Sequence, residues 1–154
     1  MVRPQVYEDC LRGRFQHGRW TNDGLAKAEQ HFLRAIDADP SYAPAYVGLV
    51  MTYRDMIAFG LRPGIELIPK ISAAAERALA LDDDLADAYY ASGCRYGLAW
   101  QWNEAERAFT RAIELNPGFN NPYHAYTCFV LLPRGRFDEA ARALGRAGKS
   151  RPFG

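Results

Sequence analysis

The chain is predicted to be all-α, an α-α superhelix (solenoid) of about four helix-turn-helix units, and two observations predict it. The first is a phrase that returns along the chain: a small residue, a bulky apolar residue, Ala and Pro at fixed spacing. It reads Ala28–Phe32–Ala35–Pro40, Ala105–Phe109–Ala112–Pro117 and Ala140–Leu144–Ala147–Pro152, with a degenerate copy at Ile71–Ala75–Ala78–Asp83. Successive copies are offset by 43, 34 and 35 residues. A period near 34 marks stacked helix pairs, each unable to bury its apolar face alone. The second observation is the spacing between phrases. Tyr46, Leu49, Val50 and Tyr53 fall at i, i+3, i+4 and i+7, one face of an α-helix.

Each element follows from these patterns and from local punctuation. Helices are expected at 4–17, 23–38, 42–57, 64–81, 85–98, 103–115, 120–132 and 137–149. They pair into units 4–40, 42–83, 85–117 and 119–152 of a single domain, 1–154. In the first helix Tyr7, Cys10, Leu11 and Arg14 are read as the buried face; in the fifth and seventh, Tyr89, Ser92, Gly93, Tyr96 and Tyr123, Tyr126, Thr127, Val130. Thr21-Asn22-Asp23 supplies a cap for the second helix, and Ser41 is placed to cap the third. Asp39-Pro40 and Asn116-Pro117 close second helices, because the residue before Pro resists the helical region. Two insertions break the period, around Trp20–Leu25 and over 59–69, and are assigned to turns. Pro69 is expected to start or kink the helix after it.

The composition is that of a globular chain, 49% apolar and 24% charged over 154 residues, and its formal net charge of +1 gives no long-range pull on nucleic acid or anionic lipid. No apolar run reaches the roughly 20 residues a membrane-spanning helix needs. Three scattered cysteines, Cys10, Cys94 and Cys128, make neither a disulfide framework nor a zinc site. With no secretory signal at the N-terminus, a cytoplasmic location is expected.

The tyrosines, Gly93 and the Ala–Phe–Ala–Pro phrase resemble the tetratricopeptide repeat, most fully over residues 86–119. Leu11-Arg12-Gly13-Arg14-Phe15, Trp20, Gly24-Leu25-Ala26-Lys27-Ala28, Trp100-Gln101-Trp102-Asn103-Glu104-Ala105-Glu106 and Gly135-Arg136-Phe137-Asp138-Glu139-Ala140 are similar to one bacterial subgroup. That subgroup is the repeat region behind winged-helix regulators and adenylate cyclase-type signalling domains. The chain departs from the pattern at Asp83, Ala75, Gly145 and Gly148. The resemblance implies a stand-alone adaptor or a piece of a larger signalling protein, and no catalytic activity of the neighbouring domains carries over.

In such arrays the first helices line a concave groove. One residue on from each buried face, the inward stripe reads Glu8, Arg12 and Phe15, then Val47, Met51 and Arg54, then Tyr90, Cys94 and Gly97, then His124, Cys128 and Leu131, with Asn121 a turn before His124. Apolar and aromatic walls with a few polar heads suit an extended or helical peptide. Glu8, Arg12, Gly48, Asp87 and Ala91 stand where a carboxylate clamp needs Lys, Asn and Arg, so a chaperone-tail binder is rejected. His17, His31 and His124 form no metal-ligand spacing, Asp82-Asp83-Asp84 is read as dipole stabilisation at a helix start, and no cofactor is expected. Trp20, Trp100 and Trp102 are read as wedges at turns.

These readings lead to a non-enzymatic protein–protein interaction scaffold binding a protein or peptide in the groove. The chain carries no phosphate loop, nucleophile elbow or supported carboxylate pair. A helical-repeat nucleic-acid binder is the first alternative, supported by six basic against two acidic residues over 134–154 and opposed by the balanced charge elsewhere. A small-ligand-sensing module is the second. Repeat arrays end in polar caps, and none follows Ala147, so self-association through an uncapped end or a neighbouring domain is expected.

Overall fold

A computed structural model describes residues 2–118 and 121–149. The described residues are helical, with turns between and no strand: α1 (Pro4–His17), α2 (Asn22–Ala38), α3 (Ala43–Ala58), α4 (Gly64–Leu81), α5 (Ala86–Leu98), α6 (Trp102–Leu115), α7 (Asn121–Tyr126) and α8 (Phe137–Lys149). Between α7 and α8, the chain runs on from α7 without a break into a π-helical turn, Thr127–Leu131. Of the third phrase, Pro152 and the side chain of Ala147 lie outside the described residues. No helix is long and apolar enough to cross a membrane among the described residues.

The chain divides into two compact units, residues 1–83 and 84–154, at the join between the second and third expected helix pairs. In the first unit α1 packs on α2, α2 on α3 and α3 on α4. In the second, α5 packs on α6, α6 on α7, and α7 on α8.

The rings of the first and third copies of the phrase are closed to solvent. Phe32 is 1% exposed and Phe109 0%. Phe32 of α2 lies against two glycines, Gly13 of α1 and Gly48 of α3, and a Cβ built on Gly13 would come within 2.8 Å of its ring. Phe109 of α6 lies in the same way over Gly93 of α5, with Tyr90 and Tyr126 at centroid distances of 6.3 Å. Glycine here gives the close backbone approach that lets a large ring fill the interhelical space. Gly13 and Gly93 each precede by seven residues a tryptophan with positive φ. They are therefore equivalent positions, whereas the tyrosine spacing had set Leu11 against Gly93. The expected register of α1 is off by two residues for this reason.

The first helix of each pair ends in one repeated way. The residue at the cap is left-handed: Trp20 (φ 54°), Gly60 (70°), Trp100 (60°) and Gly135 (71°). After α3, Gly60 N–H donates to Ile57 O (3.0 Å) and Leu61 N–H to Met56 O (2.9 Å). Trp100 and Gln101 donate likewise to Gly97 and Tyr96, and Gly135 and Arg136 to Leu132 and Leu131. This crossed pair of bonds satisfies the last carbonyls of a helix and needs a left-handed residue. Trp20 lies between His17 at the end of α1 and Phe59 at the end of α3, with ring centroids 5.8 and 6.1 Å away, while Trp100 is 77% exposed at its left-handed cap.

Two further expectations are corrected. Ser41 does not cap α3; its N–H (3.0 Å) and hydroxyl (2.6 Å) both bind Asp39 Oδ1, and Tyr42 stands at the N-cap without a side-chain bond. Such a local Asx bond competes with capping for short polar side chains. Thr21 does cap α2, its Oγ1 accepting from Gly24 N at 2.9 Å. The insertion at 59–69 is only half a turn: residues 64–69 form the start of α4, which holds Pro69 inside it and is 18 residues long against 14 for α6. Asp82-Asp83-Asp84 directly precedes the start of α5, whose N-cap is Leu85 with Asp87 in its first turn.

Candidate functional site

Each unit carries one network of the same composition, built from residues that no short motif joins. In the first, Glu29 of α2 accepts from Arg62 Nη1 at 2.7 Å, and Arg62 also binds Glu66 of α4. Tyr53 of α3 lies in the same cluster, with the Arg62 guanidinium 5.8 Å from its ring centre. Burial, the Glu29 charge and a hydrogen bond to Glu29 push the Tyr53 hydroxyl up to about 12. In the second unit Glu106 of α6 accepts from Arg136, which reaches Glu139 of α8 at 2.6 Å. Tyr126 of α7, raised by burial and the Glu106 charge, hydrogen-bonds Glu106 as Tyr53 does Glu29, from a different position on its helix. Arg62 is the second residue after the left-handed Gly60 and Arg136 the first after the left-handed Gly135, so both guanidinium groups start from the turn that ends a first helix.

A second polar cluster lies inside the first unit. His17 Nε2 and Asp55 Oδ2 are 2.7 Å apart, linking the end of α1 to α3, and Arg54 holds Asp55 Oδ1 at 2.9 Å. Burial raises the Asp55 carboxyl, but the His17 bond and the Arg54 charge outweigh it and leave it below the usual range. His31 of α2 and Asp9 of α1 form a similar pair at 3.2 Å. These histidines fasten helices together. Among the described residues no group of three or more His, Cys, Asp or Glu side chains could hold a metal ion.

The expected stripe separates into open and closed parts. In the first unit Glu8, Arg12 and Phe15 are exposed on α1, and Glu8 pairs with Arg12 at 2.5 Å. Met51 is half-buried, Arg54 is committed to Asp55, and Val47 is 4% exposed. In the second unit Asn121, His124 and Cys128 are exposed on one side of α7 and its π-turn. Tyr90 and Cys94 are 2% and 0% exposed. Val47, Tyr90 and Cys94 therefore present no accessible surface as they stand, because one position on from an assumed buried face is still the buried face where the register of the repeat slips. Tyr7 (53%) and Leu11 (45%), assigned to the interior of α1, are open.

The second unit also holds a cleft that the sequence reading did not contain. Its volume is about 360 Å³ and its walls are Gly97, Leu98, Trp100, Trp102, Cys128, Phe129 and Pro133. Two local features build it. Gly97 lets α5 approach Phe129, where a Cβ would stand 2.7 Å from that of the phenylalanine. The π-turn, closed by Leu132 N–H to Thr127 O at 2.9 Å, widens the helix at Cys128 and Phe129. Among the described residues no charged side chain lines the cleft, so what it can do chemically is take an uncharged apolar or aromatic group beside the exposed Cys128 thiol. The Trp-x-Trp pair was the visible signal for it. No family model matches the chain, and no curated protein matches it.

Proposed function

We propose that this chain is a tetratricopeptide-type helical-repeat scaffold, a solenoid that holds a protein or peptide segment and performs no chemistry on it. The observation that carries the repeat reading is the recurrence, once in each unit, of the Glu–Arg–Glu cluster with its tyrosine, Glu29–Arg62–Glu66–Tyr53 and Glu106–Arg136–Glu139–Tyr126. An arrangement that returns with the phrase is what stacked units of one kind require. Two separate surfaces are offered for binding, Glu8, Arg12 and Phe15 with Leu11 on α1 of the first unit, and Asn121, His124 and Cys128 with the aromatic cleft on the second. Aromatic and arginine side chains on an open face are the residue types that dominate interface energies. As in the repeat regions that it resembles, the setting would be a cytoplasmic bacterial signalling or adaptor protein.

The cleft favours one second reading, an uncharged small ligand, since about 360 Å³ falls at the small end of ligand pockets. Selection of a displayed random-peptide library on the full chain separates the two. Enrichment of a peptide class whose binding weakens at least about tenfold in His124→Ala or Trp102→Ala, with folding checked by circular dichroism, supports the scaffold. No enriched peptide, together with thermal shifts from a panel of uncharged aromatic compounds, would replace it with the ligand reading.

A further inference from the structure

Both units close a first helix with a left-handed tryptophan, and they differ in the residue three before it. Trp20 N–H donates to His17 O at 3.2 Å, and Trp100 N–H donates to Gly97 O at 3.1 Å. In the first unit that residue brings a ring. The His17 imidazole lies 5.8 Å from the Trp20 indole, which lies 6.1 Å from Phe59, and Asp55 holds the imidazole in place. In the second unit Gly97 brings none, and Phe129 of the π-turn comes onto its backbone instead. Beside Trp100 there is then the cleft, between Trp100, Trp102 and Phe129 with Leu98 and Pro133. The first unit fills this turn with a ring of its own, whereas the second leaves it open to another.

The fold itself does not need an indole at this cap. Gly60 and Gly135 make the corresponding caps at no steric cost, while Trp100 takes φ 60° and keeps 77% of its surface in solvent. A bulky residue held in that backbone state, with its ring on the rim of a cleft, is placed for binding and not for packing.

The walls set the chemistry of the occupant. Aromatic rings, a leucine and a proline, with no charged side chain among the described residues, offer contact to a flat uncharged group and nothing to balance an ion. Volume sets how much of a molecule enters. A cavity of about 150 Å³ already takes a benzene ring, so about 360 Å³ takes a ring together with the chain atoms that carry it.

We propose that this cleft is a socket for one uncharged aromatic side chain, with its flanking backbone, of the segment that the scaffold binds. This rests on the scaffold reading above and adds what the segment must carry.

Nuclear magnetic resonance titration of the ¹⁵N-labelled full chain with capped amino acids tests it, because each probe is a side chain with its own backbone and no terminal charge. N-acetyl-tryptophanamide and N-acetyl-phenylalaninamide should shift the Trp102 and Phe129 resonances, with dissociation constants on the order of 1 mM. N-acetyl-leucinamide and N-acetyl-lysinamide should bind at least about fivefold more weakly, and free indole at least about threefold more weakly. Trp102→Ala with unchanged circular dichroism should lose the shifts, and so should wild type alkylated at Cys128 with N-ethylmaleimide, a block made on the already folded protein. In peptides selected on the full chain, replacing the aromatic residue by alanine should weaken binding at least about tenfold. Shifts that are absent, that lie away from the cleft, that leucinamide or lysinamide matches, or that survive either block would each overturn the proposal. Selected peptides that bind without an aromatic residue would overturn it and leave the scaffold reading standing. Free indole binding as tightly as the capped amides, with no peptide selected, would overturn both.

Discussion

Glu29 and Arg62 meet at 2.7 Å across 33 residues of chain, and 77 residues further on Glu106 meets Arg136 in the same setting. Neither pair is fully exposed: the Glu29 and Arg62 side chains keep 22% and 27% of their surface. Because the arginine also serves an acid on the following helix, the pair fastens three helices at one point. A double-mutant cycle over Glu29→Gln and Arg62→Gln should therefore return a coupling of about 1 kcal/mol in urea unfolding, at the upper end for partly exposed pairs and reduced by salt. A coupling of zero would leave the recurrence of the network without energetic content.

Gly48 has no room for a side chain. Its Cβ would overlap the Phe32 ring, which Gly13 holds from the other side. Gly48→Ala should destabilise the protein by about 1–3 kcal/mol, the usual range for overpacking. Reducing the ring in the same chain, as Phe32→Leu, should make the double variant less unstable than the sum of the two single changes. Gly145→Ala, inside α8 with nothing within 4 Å, should instead raise stability by about 0.5–1 kcal/mol, alanine being the better helix former.

Trp100 occupies a left-handed conformation that costs a non-glycine residue roughly 1–2 kcal/mol, while 77% of its side chain is in solvent. Trp100→Gly should leave the unfolding midpoint unchanged or raise it, against the usual direction for a lost tryptophan. A fall of more than about 1 kcal/mol would mean that the indole supports the cleft more than its exposure implies.

The Asp55 carboxyl is held below its ordinary range by His17 and Arg54 despite its burial. A depressed folded value makes a contribution that is complete above the unfolded value, near pH 4, and lost as pH falls through the folded value. Wild type should thus lose urea stability between about pH 4 and pH 2, and Asp55→Asn should flatten that part of the profile while costing stability at pH 7. An Asp55→Asn profile parallel to wild type below pH 4 would remove Asp55 from the acid transition.

Burial pushes the Cys10 thiol up to about 11, against the opposing pull of Arg14, and Cys94 is closed to solvent. Cys128 is exposed. A thiol reagent at pH 7.5 should therefore take up one equivalent rapidly, located at Cys128 by mass spectrometry, and two more only on unfolding.

The sequence was most legible where single residues punctuate it. Thr21, Asp39-Pro40 and Asn116-Pro117 placed the ends of α2 and α6 within a residue or two of where they fall, because each acts through its own backbone or its nearest neighbours. Facing directions were less legible. The tyrosines suggested that Leu11 and Gly93 correspond, while the ring of Phe32 on Gly13 fixes a register two residues away. A shift of two positions turns a helical face by more than half a circle, which is why Tyr7 and Leu11 were expected inside. Tyr90 and Cys94 were expected in the open because α5 buries a wider face than its tyrosine spacing marks. The Glu29–Arg62 tie could not be read at all, since it depends on a cap geometry that two glycines and two tryptophans share.

The π-turn at Thr127–Leu131 has a consequence for how such a chain can change. A turn closed by i to i+5 bonds stores one residue more than an α-turn within the same helix, so length can be gained or lost there without moving either neighbouring cap. Counting residues along the gene and counting turns along the molecule are thus separate matters here. Deletion of Cys128 alone would let the segment relax to ordinary α-helix, leaving Gly135 and Arg136 free to keep their places. An inherited single-codon loss, ruinous in the middle of most helices, would at this point be absorbed as a change of pitch.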